Sequence, residues 1–468
     1  MANKLVVRLN KGVQVDLNLA NTLIVDWVMN KNRYSSLQNY YVGDHSIKTR
    51  TFADTTKPNN KVINNFASYI VDVRSGYFTG VPLTYTSEDE KYLEELRDIF
   101  DTNNETDVTA ELDKISNIKG HAYELLWVDE DSNIRFKEVN PEEIIMVYSA
   151  DITEKPMYAI RYYDEVSPLD KVVKRYIDIY SAVDIQHYVI DKVNTKEATP
   201  LSLGTDPHYF GEVPVIEYVN NSERMGSFED EVALIDAYNI AQSDSVNDIQ
   251  YFNDAYLKLK NMSGTESADI QAMKENRVLL VEGDGDADWL TKNVNDTYLE
   301  NIKDRISKDI HKFSKTPNLV SEEFIANLSG TAIRYKVWGL EQDTAKKERK
   351  WKKALMTRIR LITNILNLKG NKYDWKSLKI TFNRNLPQNV MELGQMVSQL
   401  RGTVSVETLL GQLPFVEDVK QEMDRLEEER TKNPFGDYNI APPSNQDNKD
   451  KMPMDKKDMM ANNSPSKE

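Results

Sequence analysis

Residues 227–260 read SFEDEVALIDAYNIAQSDSVNDIQYFNDAYLKLK, and this run sets the architecture that the rest of the chain must accommodate. Ser227 followed three residues later by Asp230 is a helix N-terminal signature. The apolar residues then recur every three to four positions, at Phe228, Val232, Ile235, Tyr238, Val246, Ile249, Phe252, Tyr256 and Leu259. A helix over residues 228–260 would be roughly 50 Å long, far beyond the usual three turns. It needs a long packing partner, which a helical bundle or a ring of subunits would supply.

Two further long helices are predicted downstream of this run. Helical spacing of apolar residues places them at residues 296–314 and 332–368. Between the helix predicted at residues 228–260 and the helix predicted at residues 296–314, strand-like runs at residues 278–282 and 287–292 predict a small β-hairpin. Residues 316–331 contain several helix breakers and are predicted to form a loop.

The chain before residue 227 divides into a helical part and a β-rich part. Helices are predicted over residues 18–41, with a break near residues 30–33, and over residues 61–78 and 89–101. Between about residues 121 and 218, alternating or aromatic-rich runs separated by turn residues predict strands. These runs cover residues 124–129, 134–139, 144–148, 157–163, 173–180 and 187–191.

The C-terminal part begins with a strand predicted at residues 378–382, followed by helices at residues 389–401 and 406–432. Residues 433–468 are rich in Pro, Asn, Lys and Asp and nearly devoid of apolar residues, a composition typical of disorder. The whole pattern predicts an α+β protein, mainly helical, with several structural regions.

The composition argues against several functional classes. The 468 residues include no cysteine, which excludes disulfides and thiolate metal sites and fits synthesis in a reducing cytosol. No run reaches the roughly 18 uninterrupted apolar residues of a membrane span. A formal net charge of -16 argues against tight nucleic-acid binding, which depends on clustered lysine and arginine. An acidic surface suits a channel through which DNA slides without adhering, although acidity is also common in ordinary soluble proteins.

The motifs of nucleotide-hydrolysing and metal-dependent enzymes are missing from the sequence. A glycine-rich phosphate loop ending in Gly-Lys-Ser or Gly-Lys-Thr does not occur, so an ATPase is not predicted. The five histidines lie far apart, without metal-ligand or triad-like spacing. Asp284, Asp286 and Asp288 resemble part of a calcium loop, but Trp289 stands where that loop requires glycine and Asn295 where it requires glutamate. A solvated turn is the better interpretation.

One local exception to the acidic balance lies on the predicted helix at residues 296–314. Arg305, Lys308, Lys312 and Lys315 form a basic stripe on a face different from the apolar one. Two interpretations of this stripe stay open. It contacts phosphates, or it is the solvated or neighbour-paired side of an amphipathic helix.

Seven short strings, taken in order, carry a family resemblance. They are YYVGDHSI at residues 40–47, KPNNKVINNF at 57–66, GYFTGVP at 76–82, GHAYE at 120–124, VNP at 139–141, PVIEY at 214–218 and LIDAYN at 234–239. Their order and spacing resemble the portal proteins, or head-tail connectors, of tailed bacteriophages, in the branch typical of siphophages of low-GC Gram-positive hosts. The resemblance spans about residues 20 to 430.

The resemblance implies a ring, usually of twelve subunits, with wing, stem, clip and crown regions around an axial tunnel. The regions then follow the predicted elements. Residues 1–226 would be wing, 227–260 the first stem helix, 261–295 the clip, 296–315 the second stem helix, 316–331 the tunnel loop, 332–388 the long wing helix with a strand, and 389–432 the crown. The tail at residues 433–468 has no family role assigned to it.

The same resemblance points to two sets of residues that would face DNA. In the tunnel loop they are Asn318, Ser321, Asn327, Ser329 and Gly330, and in the stem they are Arg305, Lys308, Lys312 and Lys315. Amide and hydroxyl groups in a loop that Pro317 keeps from being helical would form weak contacts with a moving phosphate backbone. The alternative is an ordinary interdomain loop whose apolar residues Phe324, Ile325 and Leu328 pack on a neighbouring subunit.

The implied function is a conduit for double-stranded DNA packaging and ejection at one capsid vertex. Implied partners are further copies of the chain, the terminase large subunit, the head-tail adaptor, and the major capsid and scaffolding proteins, with neither a cofactor nor a membrane involved. The protein would occur in the virion, and in the host cytoplasm during assembly. The alternative is a minor head or adaptor protein, but such chains usually lack two long helices that bracket a small β module. A DNA-processing enzyme would need clustered carboxylates or an activated nucleophile, and the sequence offers neither.

Overall fold

The structure is a computed structural model. The chain divides into two compact units, Met1–Pro387 and Gln388–Glu468. The described residues are 6–55, 57–169, 171, 173–193, 198–252, 256–260, 266–268, 271, 284, 286–290, 296–321, 330–385, 390–411, 413, 416 and 419–432. They contain more helix than strand, which agrees with the mixed α+β class predicted from the sequence.

The first unit begins with a short strand, β1 (Val7–Leu9), and two helices, α1 (Leu17–Asp26) and α2 (Val28–Tyr41). The predicted break near residues 30–33 is wrong by several residues, because the helix turns at Trp27, whose side chain is buried. The polar residues 30–33 continue α2 without interruption, since polar side chains are compatible with the outer face of a helix.

Helix α3 (Phe66–Phe78) begins five residues later than the predicted helix at residues 61–78. Asn65 caps it, because the side-chain oxygen of Asn65 accepts a hydrogen bond from the Ser68 N–H at 3.1 Å. The preceding residues run in extended form along a later helix, where their backbone groups find partners.

Helix α4 (Glu90–Thr102) confirms the helix predicted at residues 89–101, whereas α5 (Glu105–Lys119) has no counterpart in the sequence prediction. The reason is that much of the buried face of α5 is polar. Glu105, Thr109, Asp113, Ser116 and Asn117 are all buried. A helix whose buried face is polar shows little apolar periodicity.

Most of the strands form two sheets of the first unit. Besides β1 they are β3 (His121–Val128), β4 (Ile134–Val139), β5 (Ile144–Ser149), β6 (Pro156–Val166), β7 (Val173–Tyr180), β8 (Asp184–Asp191), β9 (Thr199–Pro207) and β10 (Val215–Val219), whereas β2 (Thr84–Thr86) belongs to neither sheet. One sheet has the order β1-β5-β6-β7-β8-β9 and the other the order β10-β3-β4. The predicted strands at residues 134–139 and 173–180 are confirmed to the residue, whereas β9 was missed because all nine of its residues are exposed and no alternation marks it.

Helix α6 (Val232–Phe252) follows a 3-10 turn at Glu229–Glu231. The predicted helix over residues 228–260 is wrong beyond Phe252, because Tyr256–Lys260 forms strand β11. In that strand leucine alternates with lysine, a period of two, although Tyr256 and Leu259 also satisfy helical spacing. Helix α6 is therefore about 31 Å long, not roughly 50 Å.

Strand β12 (Asp286–Leu290) pairs antiparallel with β11, and Leu257 lies opposite Trp289. The sequence pattern predicts residues 278–282 as the partner of this strand, and those residues lie outside the described part. The strand actually found beside β12 is the one that had been predicted as the end of a helix.

Helix α7 (Asp296–Phe313) confirms the predicted helix at residues 296–314 to within one residue. The helix predicted at residues 332–368 is also present, as α8 (Gly330–Lys336) and α9 (Trp338–Leu368) with a break at Val337. Gly339 next to the break weakens the helix there, because glycine is a poor helix former.

The core of the first unit is built around α9. Its buried residues Trp351, Leu355, Ile359 and Ile362 pack with α4, α5 and the sheet β10-β3-β4 in the largest apolar cluster. Strand β13 (Lys379–Thr381), predicted as residues 378–382, pairs with β2. A separate cluster joins α2, α3, α6 and α7, so these four helices share one core.

The second unit contains helices α10 (Val390–Leu400), α11 (Val406–Leu410) and α12 (Val419–Lys432). The first matches the helix predicted at residues 389–401. The second predicted helix, residues 406–432, is divided into α11 and α12, and of the residues between them the structure describes 411, 413 and 416. Residues 433–468, predicted to be disordered, also lie outside it.

Candidate functional site

The basic stripe of the sequence lies on the exposed face of helix α7. Arg305, Lys308 and Lys312 are exposed, whereas Ile306 and Ile310 on the opposite side pack into the core shared with α3 and α6. None of the described acidic residues forms a salt bridge with Arg305 or Lys308. The helix therefore presents three cationic side chains to its surroundings in a chain of net charge -16.

Lys315, the fourth member of the predicted stripe, has a different environment. Helix α7 ends at Phe313, and Lys315 has a left-handed backbone conformation with φ of 55°. Its Nζ lies 2.9 Å from both carboxylate oxygens of Asp343 on α9. The prediction that Lys315 belongs to the same helical face is therefore wrong, because the chain turns before this residue and joins it to α9.

The segment after α7 is fixed at its start by side chains from two helices. The Tyr69 hydroxyl of α3 donates to the Pro317 carbonyl at 2.9 Å and accepts from the Leu319 N–H at 2.7 Å. The Arg74 guanidinium of α3 donates to the Ser314 carbonyl at 2.7 Å. His311 Nδ1 of α7 donates to the Thr316 carbonyl at 3.0 Å. These side chains bind carbonyls of the turn that follows the end of α7.

The predicted loop residues have different outcomes. Asn318 and Ser321 form a local turn, in which the Asn318 side chain accepts from the Val320 N–H at 3.3 Å and the Ser321 hydroxyl donates to the Asn318 carbonyl at 2.9 Å. Asn327 and Ser329 lie outside the described residues. Gly330 is the first residue of α8, and the predicted reversal of the chain at Ser329 and Gly330 stays a prediction, because the residues before Gly330 lie outside the described part.

A group of buried and partly buried charges lies beside the start of this segment, and sequence reasoning did not identify it. Burial acts to raise the pKa of the Asp343 carboxyl, but Lys315 and Arg74 outweigh burial, and the pKa falls below its ordinary value. Burial lowers the pKa of the Arg74 guanidinium, and the negative charge of Asp343 opposes this decrease. Burial raises the pKa of Glu231 from 4.5 to about 7, and the neighbouring Asp230 adds to this rise.

A second buried ion pair links α5 and α9 in the same region. The ammonium of Lys347 lies 2.5 Å from Asp113, and both side chains are almost fully buried. The same ammonium donates to the Asn117 side chain at 3.1 Å. Burial lowers the pKa of Lys347 to about 8, against the opposing charge of Asp113. Helices α3, α5 and α9 are thus joined through charged groups as well as through apolar contacts.

The histidines serve as hydrogen-bonding residues in the structure. Buried His45 donates through Nε2 to the Tyr40 carbonyl and accepts through Nδ1 from Asn239 of α6. Buried His121 lies 3.0 Å from the Tyr34 hydroxyl and 3.2 Å from Glu217. In the part of the chain that the structure describes, no three histidine, aspartate or glutamate side chains are grouped to hold a metal ion. No helix among those residues has both the length and the apolar composition needed to cross a bilayer.

Comparison with known proteins decides the family. A family model described as "Phage portal protein, SPP1 Gp6-like" matches residues 21–433. The chain belongs to this family of phage portal proteins. The portal protein of Bacillus phage SPP1 is 26% identical over 418 residues, which cover 83% of this chain and 82% of that protein. The portal protein of Clostridium phage phiCD119 is 23% identical over 381 residues, which cover 77% of this chain and 83% of that protein.

These matches confirm the resemblance to portal proteins from phages of low-GC Gram-positive hosts. Membership of the portal family also means that the chain has a structural role in the phage particle and is not an enzyme. The absence of an ATPase motif from the sequence agrees with this role.

The structure brings together two of the strings on which the family resemblance was based. Residues 60–64 of the string KPNNKVINNF, here called the strap, run in extended form along α6. The backbone N–H groups of residues 60, 62 and 64 donate to the side chains of Asn247, Ser243 and Asn239 at 2.7, 2.9 and 2.8 Å. Asn239 ends the string LIDAYN. Polar residues spaced by four along a predicted helix were the signal that sequence reasoning missed.

The string GHAYE contains a glycine, Gly120, that the fold of this chain requires. Gly120 has φ of 91°, a conformation that other residues rarely adopt, and a Cβ there would lie 2.0 Å from the Arg224 carbonyl oxygen. The close approach brings the end of α5 against the segment that leads into α6. His121 follows directly and begins β3 in the interior.

Proposed function

We propose that this chain is the subunit of a closed ring, of twelve copies by analogy with its family, at one vertex of the phage capsid. Double-stranded DNA would enter the capsid through this ring during packaging and leave through it on ejection. Family membership is the observation that carries the proposal, and the three exposed basic side chains of α7 agree with it. Basic side chains placed along a tunnel would contact phosphates, whereas the net charge of -16 of the whole chain would limit strong adhesion of DNA.

The regions of the ring are proposed from the elements of the chain. Helices α6 and α7 are the stem, and strands β11 and β12 with the residues between them are the clip, so the clip begins earlier than the sequence boundary at residue 261. Residues 1–226 and the part from α9 to β13 form the wing. Helices α10 to α12 form the crown. The long helices that share a core with α2 and α3 support the stem assignment.

The DNA-facing groups are proposed as a strip and a loop. Arg305, Lys308 and Lys312 form the strip on α7, and Lys315 marks its end, where Asp343 offsets its charge. The loop follows, and its polar members are Asn318, Ser321, Asn327 and Ser329, with Gly330 at its far end. The Asn318 side chain accepts from the Val320 N–H, and the Ser321 hydroxyl donates to the Asn318 carbonyl. These two residues would therefore shape the loop as well as meet DNA.

The further partners are proposed from the same family membership. A ring at the capsid vertex would dock the terminase large subunit during packaging and the head-tail adaptor afterwards. The major capsid and scaffolding proteins would surround it. The protein would thus assemble in the host cytoplasm and end in the virion.

The first prediction concerns assembly. The purified protein is expected to form closed cyclic particles, because exposed apolar residues such as Ile240, Ile249 and Trp338 lie on its long helices and a neighbouring copy would cover them. Negative-stain microscopy should show rings with a central hole wide enough for duplex DNA. A compact monomer at every protein concentration and in the presence of the scaffolding protein would contradict the proposed ring.

The second prediction concerns the strip on α7. Reversing two of its charges in the variant Arg305→Glu/Lys308→Glu is expected to reduce the amount of DNA packaged into proheads while leaving ring assembly intact. The reason is that favourable phosphate contacts would become repulsive at two points of each subunit. The measurement is the amount and length of nuclease-protected DNA in proheads that carry the variant portal.

The matched control reverses two exposed lysines of α9, in the variant Lys352→Glu/Lys353→Glu. It changes the net charge by the same amount outside the proposed tunnel and should package normally. If both variants lose packaging equally, net charge explains the effect. If neither does, α7 does not face DNA and its basic side chains serve another contact.

A further inference from the structure

We propose that Tyr69 and Arg74 of helix α3 are positioning residues that fix the start of the DNA-facing loop. The inference rests on the function proposed above for that loop. Both side chains lie far from the loop in sequence, and neither belongs to the strip or to the loop. They act on DNA only through the backbone that they hold.

Tyr69 binds the loop at two backbone groups with one hydroxyl. The hydroxyl donates to the carbonyl of Pro317 and accepts from the N–H of Leu319, so it spans Asn318 like a clamp. The ring of Tyr69 packs edge-on against His311, with ring centres 5.5 Å apart. The ring contact orients the hydroxyl, and the hydroxyl sets the path of the backbone.

Arg74 and His311 hold the two carbonyls that precede this clamp. Arg74 donates to the Ser314 carbonyl, and His311 donates to the Thr316 carbonyl. Pro317 has no N–H, so a helix cannot continue regularly through this turn. Side chains thus bind three carbonyls between residues 314 and 317, which leaves the backbone of the turn with little freedom.

Asp343 connects this turn to the long helix α9. It accepts from Lys315 at 2.9 Å and lies 3.6 Å from Arg74, whose side chain is only 12% exposed. The same carboxylate therefore contacts a residue of the turn and a residue that binds the turn. Movement of α9 relative to α3 would shift the turn with it.

The positions that follow the clamp are open to the surroundings. Leu319 is 39% exposed and Val320 is 74% exposed. Side chains of α3 and α7 therefore hold the backbone up to Leu319, and beyond it Val320 and Ser321 are held by the local turn with Asn318. This arrangement sets the point from which the loop extends.

The test removes the Tyr69 hydroxyl with the variant Tyr69→Phe in the full-length assembled protein. The ring contact with His311 is retained, whereas both hydrogen bonds of the hydroxyl are lost. Hydrogen exchange in the peptide that contains Leu319 is expected to become about tenfold faster, since its amide loses its partner. Because the sequence has no cysteine, Val320→Cys gives a single site for a nitroxide label, whose mobility should rise in the same variant.

The matched control is Tyr41→Phe. The Tyr41 hydroxyl donates to Asp72 of the same helix α3 at 3.0 Å, and the bond does not involve the loop. This variant should leave exchange at Leu319 and label mobility unchanged. A second variant, Asp343→Asn, should raise label mobility less than Tyr69→Phe does, because Arg74 still binds the Ser314 carbonyl. Unchanged exchange and mobility in Tyr69→Phe would overturn the proposal.

Packaging into proheads separates this inference from the proposed function. We expect Tyr69→Phe rings to assemble normally, with an unchanged unfolding temperature, and to package less DNA than the Tyr41→Phe control. If the loop becomes mobile in Tyr69→Phe but packaging stays normal, Tyr69 does position the loop and the loop does not act on DNA. That outcome would refute the function proposed for the loop while supporting the positioning role.

Discussion

Replacing Arg358 by methionine is expected to lower the free energy of unfolding by about 3–5 kcal/mol. Arg358 on α9 is fully buried, and its guanidinium lies 2.7 Å from Glu105 and 2.7 Å from Glu124. The substitution would leave two buried carboxylates without a cation. Burial already raises the pKa of Glu124, and Arg358 is the main group that opposes this rise. Chemical denaturation of the purified variant measures the loss.

The control for this prediction is Arg360→Met on the same helix. Arg360 pairs with Glu212 at 2.7 Å, but the two side chains are 30% and 47% exposed, so the loss should stay below about 1 kcal/mol. The triple variant Arg358→Met/Glu105→Gln/Glu124→Gln should recover part of the stability, since no buried charge remains unpaired. Equal losses in Arg358→Met and Arg360→Met would show that the buried charges do not decide the effect.

Replacing Glu231 by glutamine is expected to stabilise the protein at pH 8 by about 3 kcal/mol and to have little effect at pH 5. Burial raises the pKa of Glu231 from 4.5 to about 7, with Asp230 adding to the rise and Arg74 and Lys315 opposing it. A carboxyl with a raised pKa in the folded state favours folding most below its unfolded pKa, and this contribution is lost as the pH rises through about 7. Because glutamine is neutral at every pH, the variant Glu231→Gln keeps this contribution to stability above pH 7 as well.

The measurement is thermal unfolding of the wild-type protein and Glu231→Gln between pH 5 and 8 at one protein concentration. The difference in unfolding temperature should grow as the pH rises. Glu223→Gln, which changes an exposed carboxyl a few residues earlier, is the matched control and should leave the pH profile as it is. A Glu231→Gln profile that runs parallel to the wild-type profile would refute the assignment.

Sequence patterns predicted the fold well wherever one face of an element is apolar. Helices α4 and α7 and strands β4 and β7 were predicted with boundaries close to those observed, because alternation or helical spacing marks each of them. Helix α5 was missed because its buried positions carry Glu105, Asp113 and Asn117, which bind charged or polar groups of other elements. A local pattern contains no information about partners far away in the chain.

The candidate site divides in the same way. The spacing of Arg305, Lys308 and Lys312 predicted a common face, and the structure places all three on the exposed side of α7. The side chains that hold the turn after this helix, Tyr69 and Asp343, could not be predicted, because they come from helices well separated from it in sequence. Their contribution depends on tertiary packing alone.

The strap and α6 advance by slightly different distances from one of their shared hydrogen bonds to the next. Two residues of extended chain advance about 6.6 Å, and four residues of helix advance about 6.0 Å. Each further hydrogen bond between a strap N–H and a side chain of α6 therefore adds a mismatch of about 0.6 Å. From Asn239 to Asn247 the mismatch reaches about 1.2 Å. The helix side chains accommodate it, because the three hydrogen bonds measure 2.8, 2.9 and 2.7 Å. The next residue in this pattern is Pro58, which has no backbone N–H, and the Asn60 side chain makes the contact to Gln250 instead. Deleting one residue from the strap or from α6 would separate the donors from the acceptors of every later hydrogen bond between them. The strap and α6 can therefore change length only together.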